Sequence, residues 1–260
     1  MVTEGNKLYF GTNTKMYKGI GQTLSFLNKL QALTEEISRE RMELFVIPSF
    51  TALDAAGRCV RRDKIRLGAQ NMAWEDEGQF SGEISPLMLK EVGVELVMIG
   101  HSERRHILME TDEMEGRKVR CALRHGLTPL LCIGETGGEK ALGIADEVLR
   151  IQLKTALGGV PAEQAGALRI AYEPVWAIGT SGVPAAREYA EEKHAVIRRT
   201  LAELYGESCA ADIPLLYGGS VNRTNAVELI QTPNIDGLFI GRSAWAAEEF
   251  SAIIQDILAL

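Results

Sequence analysis

The segment Ala171-Tyr172-Glu173-Pro174-Val175-Trp176-Ala177-Ile178-Gly179-Thr180 places a carboxylate where the strand-like pattern Leu168-Arg169-Ile170-Ala171 runs out, directly ahead of a Trp- and Gly-containing loop. A carboxylate so placed suits a general base under a lid. Pro174 fixes one end of the loop, the apolar stretch Val175 to Ile178 can cover a pocket, and Gly179 lets backbone approach a ligand closely. A strand that ends in a solvated glutamate has the same local pattern, so this segment alone leaves both readings open.

Other strand ends carry further chemistry. The run Val94-Glu95-Leu96-Val97-Met98-Ile99 breaks at Gly100 and delivers His101-Ser102-Glu103-Arg104-Arg105. A first short run, Lys7 to Thr12, ends in Asn13-Thr14-Lys15. Three strands therefore terminate in a lysine, a histidine and a glutamate, one electrostatic group and two acid/base groups. Two later runs, Ile213 to Tyr217 and Ile235 to Ile240, end in Gly218-Gly219-Ser220 and Gly241-Arg242-Ser243. Glycines beside a helix start expose backbone N–H groups to an anion, so these two segments read as phosphate cradles.

Strand-like runs at 7–12, 43–48, 64–69, 94–100, 127–133, 168–173, 213–218 and 235–241 alternate with amphipathic stretches such as Thr23 to Leu30 and Ala185 to Leu204. Ser85-Pro86 has the form of a helix N-cap followed by a first-turn proline. Eight βα units predict a closed parallel barrel, and no GxGxxG follows the first strand, as an open dinucleotide-binding sheet would require. In such a barrel every strand's C-terminal end faces one mouth, so Lys15, His101 and Glu173 are expected to converge.

With 260 residues, 46% of them hydrophobic and 24% charged, the chain suits one domain spanning 1–260. A net charge of −7 argues against a nucleic-acid surface, though not against local binding of an anionic substrate. Cys59, Cys121, Cys132 and Cys209 lack CxxC or metal-like spacing and read as reduced thiols of a cytoplasmic protein. His101, His106, His125 and His194 form no recognisable ligand set, so no metal is expected. The first residues lack a basic, then apolar, leader pattern, and no segment approaches the length of a membrane span.

Asn13-Thr14-Lys15, Gly100 to Arg105, Tyr172 to Thr180 and Tyr217-Gly218-Gly219-Ser220-Val221 together resemble the triosephosphate isomerase family, in the family's order from first strand to last. The resemblance implies an α/β protein with a (β/α)8 TIM barrel, working as an isomerase of short sugar phosphates without a cofactor. By it, Glu173 is the base, His101 the electrophile, and Lys15 and Asn13 bind substrate oxygens. Ser102, Glu103 and Cys132 match supporting residues; Gly179, Gly219, Ser220 and Gly241 match phosphate loops. Gln70-Asn71 and Gln79-Phe80-Ser81-Gly82-Glu83 resemble the loop that inserts into a partner subunit, which implies a homodimer.

The chemistry required is removal of a carbon-bound proton beside a carbonyl and its return to the neighbouring carbon through an enediolate. One carboxylate can make both transfers, a neutral imidazole can polarise the carbonyl, and Lys15 can offset the developing charge. His101 precedes an expected helix start, where the dipole disfavours imidazolium. A Schiff-base aldolase would want a lysine poised to attack a carbonyl, and a silent sugar-phosphate binder would not need both His101 and Glu173.

Several positions depart from the family. Thr14 stands where Trp is general and Tyr17 where Asn is usual; Ser181-Gly182-Val183-Pro184 replaces the common lid hinge. Arg242 takes the place of the second glycine of the last phosphate loop and is followed by Ser243-Ala244-Trp245. The proton-transfer residues are untouched while the phosphate end and lid differ. That pattern favours the family's smaller branch, which acts on four-carbon erythrulose phosphates, over an ordinary triosephosphate isomerase; Arg242 either reaches the phosphate directly or leaves the site for solvent.

Overall fold

Eight runs of apolar and β-branched residues form short strands, and their burial on both faces is what a parallel sheet covered by helices demands. The strands are β1 Leu8–Asn13, β2 Met42–Ile47, β3 Arg66–Ala69, β4 Leu96–Ile99, β5 Thr128–Ile133, β6 Arg169–Tyr172, β7 Leu215–Tyr217 and β8 Gly237–Phe239. A computed structural model describes residues 7–179 and 182–260; Thr180 and Ser181 of the expected lid lie outside the described residues. All eight strands pair in parallel in the order β1 to β8, and β8 pairs back to β1 to close the barrel. Each is close to its expected span: β1 and β2 are displaced by one residue, and the others are trimmed by up to two residues at an end where ladder pairing stops.

The interior is filled by Phe45, Ile47, Leu96, Met98, Leu130, Cys132, Ala171, Leu216 and Phe239. Gly11 is dictated by this packing, since a Cβ there would lie 2.0 Å from the Phe45 ring. Below that cluster the barrel is sealed by polar groups. Arg66 pairs with Glu43 at 3.0 Å and donates to Thr128 Oγ1 at 2.9 Å, while Arg169 lies over the Tyr9 ring. The molecule is therefore shut at one end, and chemistry is confined to the other.

A second apolar cluster fills the space between sheet and helices. Helix ends follow local rules. Ser85 Oγ accepts from the Leu87 N–H with Pro86 in the first turn, as expected. The last two long helices run Arg187–Tyr205 and Ala247–Leu258. Among the described residues, no helix is long and apolar enough to cross a membrane.

Candidate active site

Alternation along a strand carries inward residues up to the mouth. Asn13 continues the inward row of β1, and Glu173 follows the inward Ala171 of β6. Glu173 is 3% exposed. Its place is cleared by two glycines: a Cβ on Gly134 would lie 1.9 Å from the Glu173 carbonyl oxygen, and one on Gly218 would lie 2.8 Å from its Cγ. Gly218 thus makes room for the Glu173 side chain, which the phosphate-cradle expectation did not contain.

His101 is brought to the mouth differently. Gly100 takes φ +77°, a left-handed kink in which a Cβ would strike the Cys132 carbonyl oxygen at 2.9 Å. The Arg105 guanidinium holds that turn, donating to the Gly100 carbonyl at 2.6 Å and the Cys132 carbonyl at 3.1 Å. His101 then caps the short helix Ser102–His106, its Nδ1 accepting from the Glu103 backbone N–H at 3.2 Å. A nitrogen that accepts carries no proton, so the neutral ring bears its hydrogen on Nε2. That atom lies 3.6 Å from Glu173 Oε1. The other Glu173 oxygen, Oε2, is buried without a hydrogen-bond partner among the described residues.

Lys15 adopts φ +50°, unusual for a residue with a side chain and costing on the order of 1 kcal/mol. Two bonds pin it: its N–H donates to Asn13 Oδ1 at 2.8 Å, and Gln70 Nε2 donates to its carbonyl at 2.7 Å. Its ammonium pairs with Glu103 at 2.6 Å. Glu103 therefore serves twice, by its backbone on His101 and by its carboxylate on Lys15. Ser102 borders a narrow cleft behind Glu173. Cys132 lies by Glu173; burial, and then the Glu173 carboxylate, push its thiol well above its ordinary value, so it stays protonated.

A cavity of about 260 Å³ opens over these groups, bordered by Lys15, His101 and Glu173 on one side and by Gly179, Gly219, Ser220, Gly241 and Arg242 on the other. All five expected phosphate-loop residues thus line the same cavity as Lys15, His101 and Glu173. Only Gly241 stands directly before a helical turn, Arg242–Ala244; after Gly218-Gly219-Ser220 the next helix waits until Ala226. Arg242 is exposed and has no acidic partner among the described residues. The apolar lid stretch forms a turn over Val175–Ala177 whose Trp176 indole donates to Glu135 at 2.8 Å.

Gln70 and Asn71, which resemble part of a partner-inserting loop, both make hydrogen bonds within this chain. Gln70 braces Lys15, and buried Asn71 accepts from Lys118 Nζ at 2.9 Å. The exposed run is Glu75 to Glu83, which includes Gln79-Phe80-Ser81-Gly82-Glu83.

Residues that sequence spacing did not single out also build the site. Glu135 gathers the Tyr172, Trp176 and Tyr189 donors. Trp245 donates to the Asn13 carbonyl at 2.9 Å and packs on Tyr17 with ring centroids 4.6 Å apart. Away from the mouth, Asp76, Cys121 and His125 bring three donor atoms within 4.8 Å of one another. His125 is already bonded to Asp76 at 2.7 Å, with Arg124 4.0 Å from the same carboxylate.

Comparison with known proteins agrees with this geometry. The family model described as triosephosphate isomerase matches residues 8–257. Proteins named L-erythrulose-1-phosphate isomerase are similar over nearly their full length. That of Rhizobium etli is 49% identical over 254 residues, covering 97% of this chain and 93% of the relative. Those of Mesorhizobium japonicum and Brucella abortus are 46% and 44% identical, each covering 95% of both chains.

Proposed function

We propose, since this chain belongs to the triosephosphate isomerase family and is an isomerase, that it moves the carbonyl of a four-carbon erythrulose phosphate by proton transfer through an enediolate. The observation that carries the mechanism is the pairing at the mouth of a buried carboxylate, 3.6 Å from His101 Nε2, with Lys15 beside them. Glu173 takes the proton from the carbon next to the carbonyl, and that C–H electron pair forms the enediolate double bond. The carbonyl's π electrons go to its oxygen, where the His101 Nε2–H donates and Lys15 offsets the charge. His101 relays a proton from the neighbouring hydroxyl oxygen to the former carbonyl oxygen, and as the new C=O forms the double-bond electrons take the proton back from Glu173 onto the former carbonyl carbon, which completes the exchange.

Chemistry fixes the product class. In a tetrulose 1-phosphate the carbonyl is at C2 and the reacting proton at C3, so a single enediolate step delivers the carbonyl to C3. The product is the tetrulose 4-phosphate, a second ketose. With a three-carbon substrate the proton-bearing carbon is terminal and the same step yields an aldehyde. An aldose such as erythrose 4-phosphate lies one further step away.

Substrate length is supported by the names of the relatives at 42–49% identity and by the unpaired Arg242 at the phosphate end. Arg242, with the backbone N–H groups of Gly179, Gly219, Ser220 and Gly241, is assigned to the phosphate. An ordinary triosephosphate isomerase, the second reading, is supported by the intact acid/base set. The deciding experiment follows both substrates by NMR in D₂O on one preparation. L-erythrulose 1-phosphate should turn over with the higher kcat/KM and give tetrulose 4-phosphate carrying solvent deuterium; faster turnover of dihydroxyacetone phosphate sinks the four-carbon reading.

The working form is assigned as a homodimer. Exposed Met16, Ile107 and Leu108 border the groove near Lys15, an apolar surface suited to a partner's Gln79–Glu83 loop. The four cysteines are free thiols, in keeping with the cytoplasmic location read from the sequence.

A further inference from the structure

We infer that Trp245 is a positioning residue for the reaction: its indole N–H ties the strained Lys15 turn to the loop that follows β8, and so sets where the Lys15 ammonium stands in the mouth. This rests on the proposed isomerisation, in which Lys15 offsets the enediolate charge.

The place of the bond follows from the sheet. In a parallel pair, alternate carbonyls of one strand face the same neighbour. β1 meets β8 in this way, with the Gly11 carbonyl accepting from the Ile240 N–H at 2.8 Å. The next β1 carbonyl on that side belongs to Asn13, and continued pairing would give it the N–H of Arg242. The chain instead leaves the sheet at Gly241 and turns over Arg242–Ala244, with the Trp245 backbone N–H donating to the Arg242 carbonyl at 3.1 Å. From that turn the Trp245 side chain reaches back, and its indole N–H donates to the Asn13 carbonyl at 2.9 Å. One side chain thus stands in for a ladder bond while Gly241, Arg242, Ser243 and Trp245 itself line the mouth cavity.

What hangs on that carbonyl is the turn bearing Lys15. A residue at φ +50° keeps that conformation only where its surroundings fix it. The bond from the Lys15 N–H to Asn13 Oδ1 lies inside the turn and moves with it. Anchors from outside come from three sides. Ile47 of β2 accepts from the Thr14 N–H at 3.0 Å, Gln70 donates to the Lys15 carbonyl at 2.7 Å, and Trp245 holds the Asn13 carbonyl. Of these, the Trp245 bond is the one that comes from a loop assigned to the phosphate, so it links the anion to the lysine. The indole also packs on Tyr17, just past the turn, and both residues stand where the chain departs from its family.

The test is Trp245→Phe, which keeps a ring for Tyr17 and removes the N–H. Since a displacement of about 1 Å can cost on the order of 100-fold, loss of the tether should lower kcat on L-erythrulose 1-phosphate by at least about tenfold. KM, and inhibition by inorganic phosphate, should stay within about twofold, the split expected when only a transition-state contact is lost. Binding separates positioning from a merely structural role. A phosphorylated hydroxamate, whose paired oxygens imitate the enediolate, should bind the variant about tenfold more weakly while inorganic phosphate does not. In a Lys15→Ala background, Trp245→Phe should add nothing to that loss, because the group it positions is gone. Benzothienylalanine at position 245, which keeps the bicyclic ring with sulfur in place of N–H, should reproduce the Phe result and serves if the Phe variant does not fold. Unchanged kcat, weakening of both ligands by one factor, or additive losses in the double variant would each overturn the inference. If Lys15→Ala alone leaves hydroxamate affinity intact, the role given to Lys15 fails instead, so the two failures are distinguishable.

Discussion

Glu173 Oε1 lies 3.6 Å from His101 Nε2, although the two residues reach the mouth by unrelated routes, one up an inward strand row and one through a glycine kink. At that distance nothing fits between carboxylate and ring, so a substrate lying over both can present its carbon to the carboxylate and its oxygen to Nε2 at once. Glu173→Gln should therefore retain phosphate-ligand binding and lose turnover by on the order of 1,000-fold or more. Glu173→Asp withdraws the carboxylate by roughly 1 Å and should keep weak activity, about 100-fold down. Near-normal turnover of the Gln variant would refute the base assignment.

The Glu103 N–H bond to Nδ1 fixes which nitrogen of His101 holds the proton. In ¹⁵N NMR of histidine-labelled protein, Nδ1 of His101 should resonate as an unprotonated nitrogen and Nε2 as a protonated one. Substituting His101 by Gln should depress kcat and leave the KM for phosphate substrates within a few-fold. The opposite tautomer would leave the substrate carbonyl facing a lone pair and would rule out the polarising role.

What the sequence made legible were groups whose function is tied to a strand's end. Glu173, His101, Lys15 and the glycine loops each follow an apolar run, and an eight-unit barrel brings such ends together whatever their separation in the chain. Residues that act across the fold left no such mark. Trp245 bonds to the carbonyl of Asn13 from 232 positions away, and nothing local to Ser243-Ala244-Trp245 encodes that contact. Glu135 follows β5 as an ordinary acidic residue, and only the approach of Tyr172, Trp176 and Tyr189 makes it an anchor for the lid. Gln70 and Asn71 read as loop, because the bond of Gln70 to the strained Lys15 depends on a backbone conformation that side-chain types do not announce.

The assembly is testable through its apolar rim. Ile107 is 72% exposed beside the groove near Lys15, so Ile107→Asp should spare the fold of one subunit while disrupting association. Light scattering should report a dimer for wild type and a smaller species for the variant, with activity falling in parallel because Lys15 and Gln70 lose cover. A fully active wild-type monomer at assay concentration would rule the dimer requirement out.

Arg242 lines the mouth cavity with no acidic partner among the described residues, so its charge is available to an anion. A guanidinium suits phosphate by its forked donors. Arg242→Gly should raise KM and weaken competitive inhibition by inorganic phosphate by about tenfold, with kcat little changed, and should shift preference toward the triose substrate. Unaltered inhibition by phosphate would mean that the side chain serves solvent only.

Glu115 supplies a pH dependence independent of catalysis. It is fully buried on the helix Asp112–Arg124, and neither carboxyl oxygen has a hydrogen-bond partner among the described residues. Burial pushes its carboxyl up to about 7 from an ordinary 4.5; Lys118 and Arg105 oppose that push and Glu110 adds to it. Below about pH 4.5 both folded and unfolded states hold the proton and the group is neutral to stability. As pH rises toward 7 the unfolded chain releases the proton first, so stability falls; above 7 the full penalty, on the order of 3 kcal/mol at most, applies. Glu115→Gln, uncharged throughout, should therefore melt at a temperature close to wild type near pH 5 and several degrees above it near pH 8, as followed by circular dichroism. A variant that melts lower at both pH values would show that the ionised carboxylate is bound favourably by Lys118, 4.0 Å away, and would reverse the assigned sign.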